Sequence, residues 1–200
     1  MVVGFRVCRF LVLVFVFLAV SLVFKAQIAG TKEAGSPAGG KTVVIAFDGS
    51  DYAKNAMKFY ADTIHMPTDN VIVVYCVELT DVVTTVHYSI DHEVFKEMIQ
   101  REIERIKNKL IEFAVYMRDI KLNGTVKSTH ASSPGHGIVN VANELNAELI
   151  VTGSRGMGSI RRTFLGSVSD YILHHSSVPV LVVQQQKDHD HHKHCDHQTP

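Results

Sequence analysis

Gly153-Ser154-Arg155-Gly156, followed after nine further residues by Gly166-Ser167, are residues of the right type and spacing to hold a phosphate. Gly153 and Gly156 put no Cβ between the backbone and a ligand. Gly166-Ser167 opens a predicted helix, Val168–Ser176, whose first N–H groups and dipole favour an anion. The apolar run Leu149-Ile150-Val151-Thr152 stands directly before Gly153, so a strand empties into the glycines. Two familiar phosphate motifs are excluded. A Walker A loop ends in Gly-Lys-Ser/Thr, and no lysine lies between Gly153 and Ser167; the dinucleotide fingerprint belongs to a first βα turn, whereas this is the last one. The competing reading is a pair of ordinary turn glycines with Gly166 as a loop terminator.

Asp48 closes a second apolar run, Thr42–Phe47, and two roles are open to it. An ionised carboxylate can accept from the hydroxyls of a ligand. It can also cap the helix predicted at Tyr52–His65, a role for which Ser50 and Asp51 are the better candidates. Arg155, Arg161 and Arg162 could bring guanidinium charge to a phosphate. No nucleophile–base pair, no carboxylate pair at useful spacing and no compact metal site stands out, so no residue is assigned a catalytic or metal-binding role. Cys8, Cys76 and Cys195 form no disulfide framework. The last residues hold His189, His191, His192, His194 and His197 with Cys195, which are transition-metal ligands by type but lack a scaffold to fix them.

The elements that must position these groups alternate between strand and helix. Val71-Ile72-Val73-Val74 and Leu149-Ile150-Val151 are apolar on both faces, as parallel strands covered by helices are. Glu93–Arg118 repeats Phe95, Met98, Ile99, Ile103, Ile106, Leu110, Phe113, Ala114 and Met117 at helical spacing, a stripe that reads as core. The pattern predicts an α/β domain, a doubly wound sheet sandwiched by helices, with the ligand beyond the carboxyl ends of the strands where strand order reverses.

These features together resemble the universal stress proteins. The glycine motif of that family is matched by Gly153, Gly156, Gly166 and Ser167, and its opening strand ending in aspartate by Thr42–Ser50. Val71–Val77, Pro134–Ala147 and Val178–Val183 then look like its second strand, its helix before the motif and its closing strand. Ser132-Ser133-Pro134 departs mildly from the family's Gly-x-Pro. The resemblance covers about Lys41 to Gln184 and implies a five-stranded parallel sheet of the Rossmann-like, adenine nucleotide alpha-hydrolase-like kind. It also implies binding of ATP or AMP, with Mg²⁺ accompanying the nucleotide, in a stress response, and pairing into a homodimer through Val180–Val183. The implied contacts are Ala46, Phe47 and Asp48 after the first strand, the backbone of Cys76 and Val77 after the second, and Thr152, Gly153, Ser154, Arg155, Gly156, Gly166, Ser167 and Val168 around the motif. Two further readings stay open: a slow Mg²⁺-dependent ATP hydrolase of this fold, and a secreted metal-buffering protein that uses the histidine tail.

Twenty Lys+Arg balance twenty Asp+Glu, and no basic cluster marks the core, which excludes nucleic acid as the main partner. A 46% hydrophobic content over 200 residues supports one domain. The ends are different material. Arg6 and Arg9 precede the uncharged stretch Phe10–Phe24, which as a helix reaches about 22 Å against a bilayer core of roughly 30 Å. Residues 1–28 therefore read as a signal peptide, or an uncleaved signal anchor that would be the only membrane contact. Residues 29–41 read as a flexible linker, 42–184 as the domain and 185–200 as a disordered histidine-rich tail. The expected location is the secretory pathway, with Asn123-Gly124-Thr125 as a glycosylation sequon.

Overall fold

The computed structural model of the chain describes residues 40–78, 92–156 and 165–184, with side chains of the long helix described from residue 96. Among the described residues five strands, β1 (Thr42–Ala46), β2 (Asn70–Glu78), β3 (Thr125–Ala131), β4 (Leu149–Gly153) and β5 (Val180–Val183), alternate with four helices. These are α1 (Asp51–Thr63), α2 (His92–Asp119), α3 (Pro134–Glu144) and α4 (Ser167–His175). The sheet order is β3-β2-β1-β4-β5, and every ladder is parallel. This is the expected doubly wound α/β sandwich. The chain moves outward from β1 to β3 and then returns to β4, so its order reverses between β1 and β4.

Strand alternation divides the core into two layers. Val43, Ile45 and Phe47 of the first strand and its extension, with Val71, Val73 and Val77 of β2, face α1 and α2, whose Met57, Tyr60, Ile106, Leu110, Phe113 and Met117 cover them. Val44, Ala46, Ile72 and Val74 face the other way, against Ile138, Val139 and Ala142 of α3 and Ile172 of α4. The two apolar runs read as doubly covered strands are so covered.

Element ends follow local chemistry. The closing strand begins at Val180 and not at Val178, because Pro179 has no N–H for a ladder; its carbonyl still accepts from the Ile150 N–H at 2.9 Å. The helix expected over Pro134–Ala147 stops at Glu144, where Asn146 turns left-handed at φ 49° and the Ala147 N–H returns to the Ala142 carbonyl at 2.8 Å. Among the described side chains of α2 the stripe Ile106, Leu110, Phe113 and Met117 is buried, while Met98, Ile99 and Ile103 are half-buried and Ala114 is exposed. Phe95 lies outside the described side chains, as do the leader and the tail.

Candidate functional site

The first strand delivers Asp48 to the reversal point. β1 pairs with β2 as far as Ala46↔Val74, and the Phe47 N–H still donates to the Val74 carbonyl at 3.0 Å. The chain then turns at Gly49, whose φ of +88° favours glycine and whose Cβ position lies 3.2 Å from the Phe113 ring. Asp48 Oδ1 accepts from the Ser50 N–H at 2.9 Å, and Ser50 Oγ accepts from the Ala53 N–H at 3.2 Å as the N-cap of α1. Ser50 is therefore the cap, while Asp51 is the exposed first residue of the helix. Asp48 shapes the turn with one carboxylate oxygen. The other, Oδ2, lies against the glycine loop: a Cβ on Gly156 would stand 2.7 Å from it.

The glycine loop is held at both ends. A Cβ on Gly153 would meet the Tyr52 carbonyl carbon and oxygen at 2.8 Å, so α1 packs its first turn directly on the end of β4. The Ser154 N–H donates to the Val183 carbonyl at 2.9 Å, and the Ser154 carbonyl accepts from the Gly166 N–H at 2.8 Å and from Ser169 Oγ at 3.2 Å. Ser169 Oγ also lies 3.0 Å from the Gly166 carbonyl. The strand end and the α4 start are thereby fixed beside each other. Gly166 is the N-cap of α4 in an extended conformation, and a glycine supplies no side-chain oxygen to cover the first N–H groups. Ser167 is exposed and Val168 half-buried against the α3–α4 layer. The Arg155 guanidinium carbon lies 5.9 Å over the Tyr52 ring. Arg161 and Arg162 fall outside the described residues.

One strand further along, β2 continues with β3 to Glu78↔Ala131, past the point where β1 leaves it. The β1-facing edge of Tyr75–Glu78 is thus outside the β1 ladder, and Cys76 shares the parity of Val74, whose carbonyl faces β1. A ligand there meets main chain. The side chains of Ala46, Phe47 and Val77 are buried in the core, and Thr152 Oγ1 turns to the Gly153 carbonyl at 3.3 Å. The Cys76 thiol packs in the α3 layer, only 2.5 Å from a Cβ position on Gly137, and burial, with a smaller part from the Glu78 charge, pushes it up to about 11. A thiol so placed stays protonated near neutrality.

The structure thus brings Asp48, Gly153–Gly156 and Gly166–Val168 together at the carboxyl ends of β1 and β4, with the main chain of Cys76 and Val77 on the neighbouring strand. Tyr52, Gly49 and Ser169 were not singled out from sequence. Gly49 after Asp48 is a turn signal; a tyrosine in a first helical turn and a serine in a last helix carry none. Among the described residues no group of three or more His, Cys, Asp or Glu could hold a metal ion, and no helix is long and apolar enough to cross a membrane.

Comparison with known proteins agrees with this architecture. The model of the universal stress protein family matches residues 40–184. The universal stress protein YxiE of Bacillus subtilis is 32% identical over 153 residues, a match that spans 71% of this chain and 97% of that protein. The structure of the hypothetical protein MJ0577 superposes with a TM-score of 0.59 at 24% identity, over 74% of this chain and 97% of its own. That of a universal stress protein family protein from Arabidopsis thaliana with AMP bound does so with a TM-score of 0.51 at 17% identity, over 74% and 94%.

Proposed function

We propose that this chain, which belongs to the universal stress protein family, binds an adenine nucleotide, ATP or AMP, and serves a stress response through binding and not through fast catalysis. The observation that carries the reading is the meeting of Asp48 and Gly156 at the strand-order reversal. A carboxylate for ribose hydroxyls there borders a loop that comes close only because Gly153 and Gly156 have no side chain. The uncapped first turn of α4 supplies N–H groups for phosphate, and the β1-facing edge of β2 at Cys76 supplies main chain for the base. The Arabidopsis relative holds AMP on the same fold. Asp48 is also an oxygen donor of the kind Mg²⁺ takes, should the metal enter with the triphosphate.

The domain would work as a homodimer paired through β5, behind a leader that sends the chain into the secretory pathway. The test is calorimetry with ATP and AMP on the chain and on Gly156→Val. Binding that is lost or strongly weakened in the variant is expected, because the new side chain must push aside either Asp48 or the phosphates. Unchanged affinity would falsify the cradle assignment.

A further inference from the structure

We propose that Asn123-Gly124 is a self-modification site, at which the chain converts the Asn123 amide to aspartate and isoaspartate without an enzyme, at the joint where β3 begins. Both residues are exposed in the turn between α2 and β3. The end of the helix sets that turn: the Lys121 N–H donates to the Arg118 carbonyl and the Leu122 N–H to the Met117 carbonyl, each at 2.9 Å, with Lys121 left-handed at φ 57°. Past Leu122 this bonding stops, and the Gly124 N–H meets no main-chain acceptor among the described residues. That nitrogen is the one that attacks the Asn123 side chain, and glycine puts no Cβ in its way.

The chemistry needs only water. The Gly124 nitrogen bonds to Asn123 Cγ, the Cγ–Nδ2 bond breaks, and Nδ2 leaves as ammonia with the Gly124 proton. Water then opens the cyclic imide at either carbonyl, giving aspartate or an isoaspartate whose main chain is longer by a methylene. The other asparagines are protected by their places in the fold. Asn55, Asn108, Asn140 and Asn143 lie inside helices, where the next N–H belongs to the helical ladder, and Asn70 in β2 is followed by the β-branched Val71. Asn146 is the informative control: it also turns left-handed, at φ 49°, but the Ala147 N–H is held by the Ala142 carbonyl at 2.8 Å.

The packing keeps the labile pair in place and gives the modification its effect. A Cβ on Gly124 would stand 2.5 Å from the Val71 carbonyl oxygen and 2.9 Å from Met117 Cε, so a side chain there would press on β2. An extra methylene in the main chain falls at the same joint, one residue before the Ile72↔Thr125 pairing that opens β3. A glycan on Asn123 Nδ2 would block the reaction, so the two modifications exclude each other.

The experiment holds the full-length chain, made without a glycan, at mildly alkaline pH and follows each asparagine by peptide mass mapping with fragmentation that separates aspartate from isoaspartate. Asn123 should be converted while Asn146 stays intact, at a rate within about tenfold of that of residues 119–127 as a free peptide, since no main-chain hydrogen bond must open first. Asn123→Gln should remove the conversion. The isoaspartate fraction, isolated by ion exchange, should melt at least about 2 °C below the unaged chain. A rate more than about tenfold below the peptide's shows that the turn protects Asn123 and overturns the proposal, as does conversion of Asn146 at an equal rate. An isoaspartate fraction with an unchanged melt overturns the assignment of this turn as a tight joint.

Discussion

The Tyr60 hydroxyl donates to the fully buried Asp69 carboxylate at 2.7 Å, at the end of the sheet opposite the glycine loop. The same carboxylate accepts from the Met66 N–H at 3.0 Å and from the Lys41 N–H at 3.3 Å, which ties the start of β1 to the turn that leads into β2. His65 Nδ1 stands 3.9 Å away. Burial by itself raises the pKa of Asp69, but the three donors outweigh it and hold the group below the ordinary carboxylate range. Tyr60 is pushed the other way, by burial first and then by Asp69.

The signs of these shifts give a pH prediction. A depressed carboxylate contributes stability that is present above its unfolded value of about 4 and is lost as pH falls through its folded value. A raised tyrosine contributes below about pH 10 and loses that contribution in stronger alkali. Asp69→Asn should therefore cost about 1–3 kcal/mol at neutral pH and flatten the acid limb of a denaturation series. An acid limb of unaltered slope in the variant would show that Asp69 does not control it.

Two glycines of the cradle should respond differently to alanine. At Gly153 the new methyl would press on the Tyr52 main chain, which can yield only by shifting α1, and a loss of about 1–3 kcal/mol is expected. At Gly156 it would press on the end of the Asp48 side chain, which can rotate away from Ser50. Thermal melts should thus drop further for Gly153→Ala than for Gly156→Ala, while nucleotide affinity falls in both. A larger drop for Gly156→Ala would mean that the packing of α1 on β4 is not the tighter of the two joints.

Pairing through the sheet edge has a selective test. β5 is a terminal strand, and the carbonyls of Pro179 and Val183 face β4, where they accept from Ile150 and Ser154. By alternation the N–H groups of Val180 and Val182 point to the open edge. Val182→Pro removes an outward donor and leaves the β4 ladder intact. Light scattering should report a dimer for the original chain, as proposed, and a monomer of unchanged helical content for the variant. A variant that stays dimeric places the contact elsewhere.

Much of this was legible in the sequence, for a physical reason. Runs such as Val71–Val74 and Leu149–Val151 are apolar on both faces, so they must be covered strands, and Ile106, Leu110, Phe113 and Met117 repeat at a helical period that has only one buried solution. The glycine spacing showed where main chain must come close. What stayed hidden depends on partners that the local pattern does not mark. The Asp69 carboxylate is explained by Tyr60 and Lys41, Ser169 by the Ser154 carbonyl, and Tyr52 by an arginine a hundred residues away; none of these has a local signature. The inward turn of Phe47 was readable in principle, because Val43, Ile45 and Phe47 share one face. Its ring meets Phe113 edge-on at 4.7 Å, which leaves a ligand only its main chain.

The last prediction is that the chain enters the secretory pathway. The proposal rests on Arg6 and Arg9 ahead of the uncharged stretch Phe10–Phe24, the charged and apolar composition expected of an export signal. The proposed nucleotide site would need no such leader, so the segment calls for a separate cause. The fold adds one compatible fact: Asn123 of the sequon is exposed in the turn between α2 and β3, where a glycan would meet solvent and not the core. In its own type of cell the chain should resist protease in intact vesicles, become sensitive when detergent opens them, and in part lose mass on glycosidase treatment. Asn123→Gln should abolish that mass shift and leave the protection unchanged, since the sequon reports the route and does not set it. Full-length chain found only in the soluble cytosol, with Met1–Phe24 still attached, would show that the leader is not an export signal.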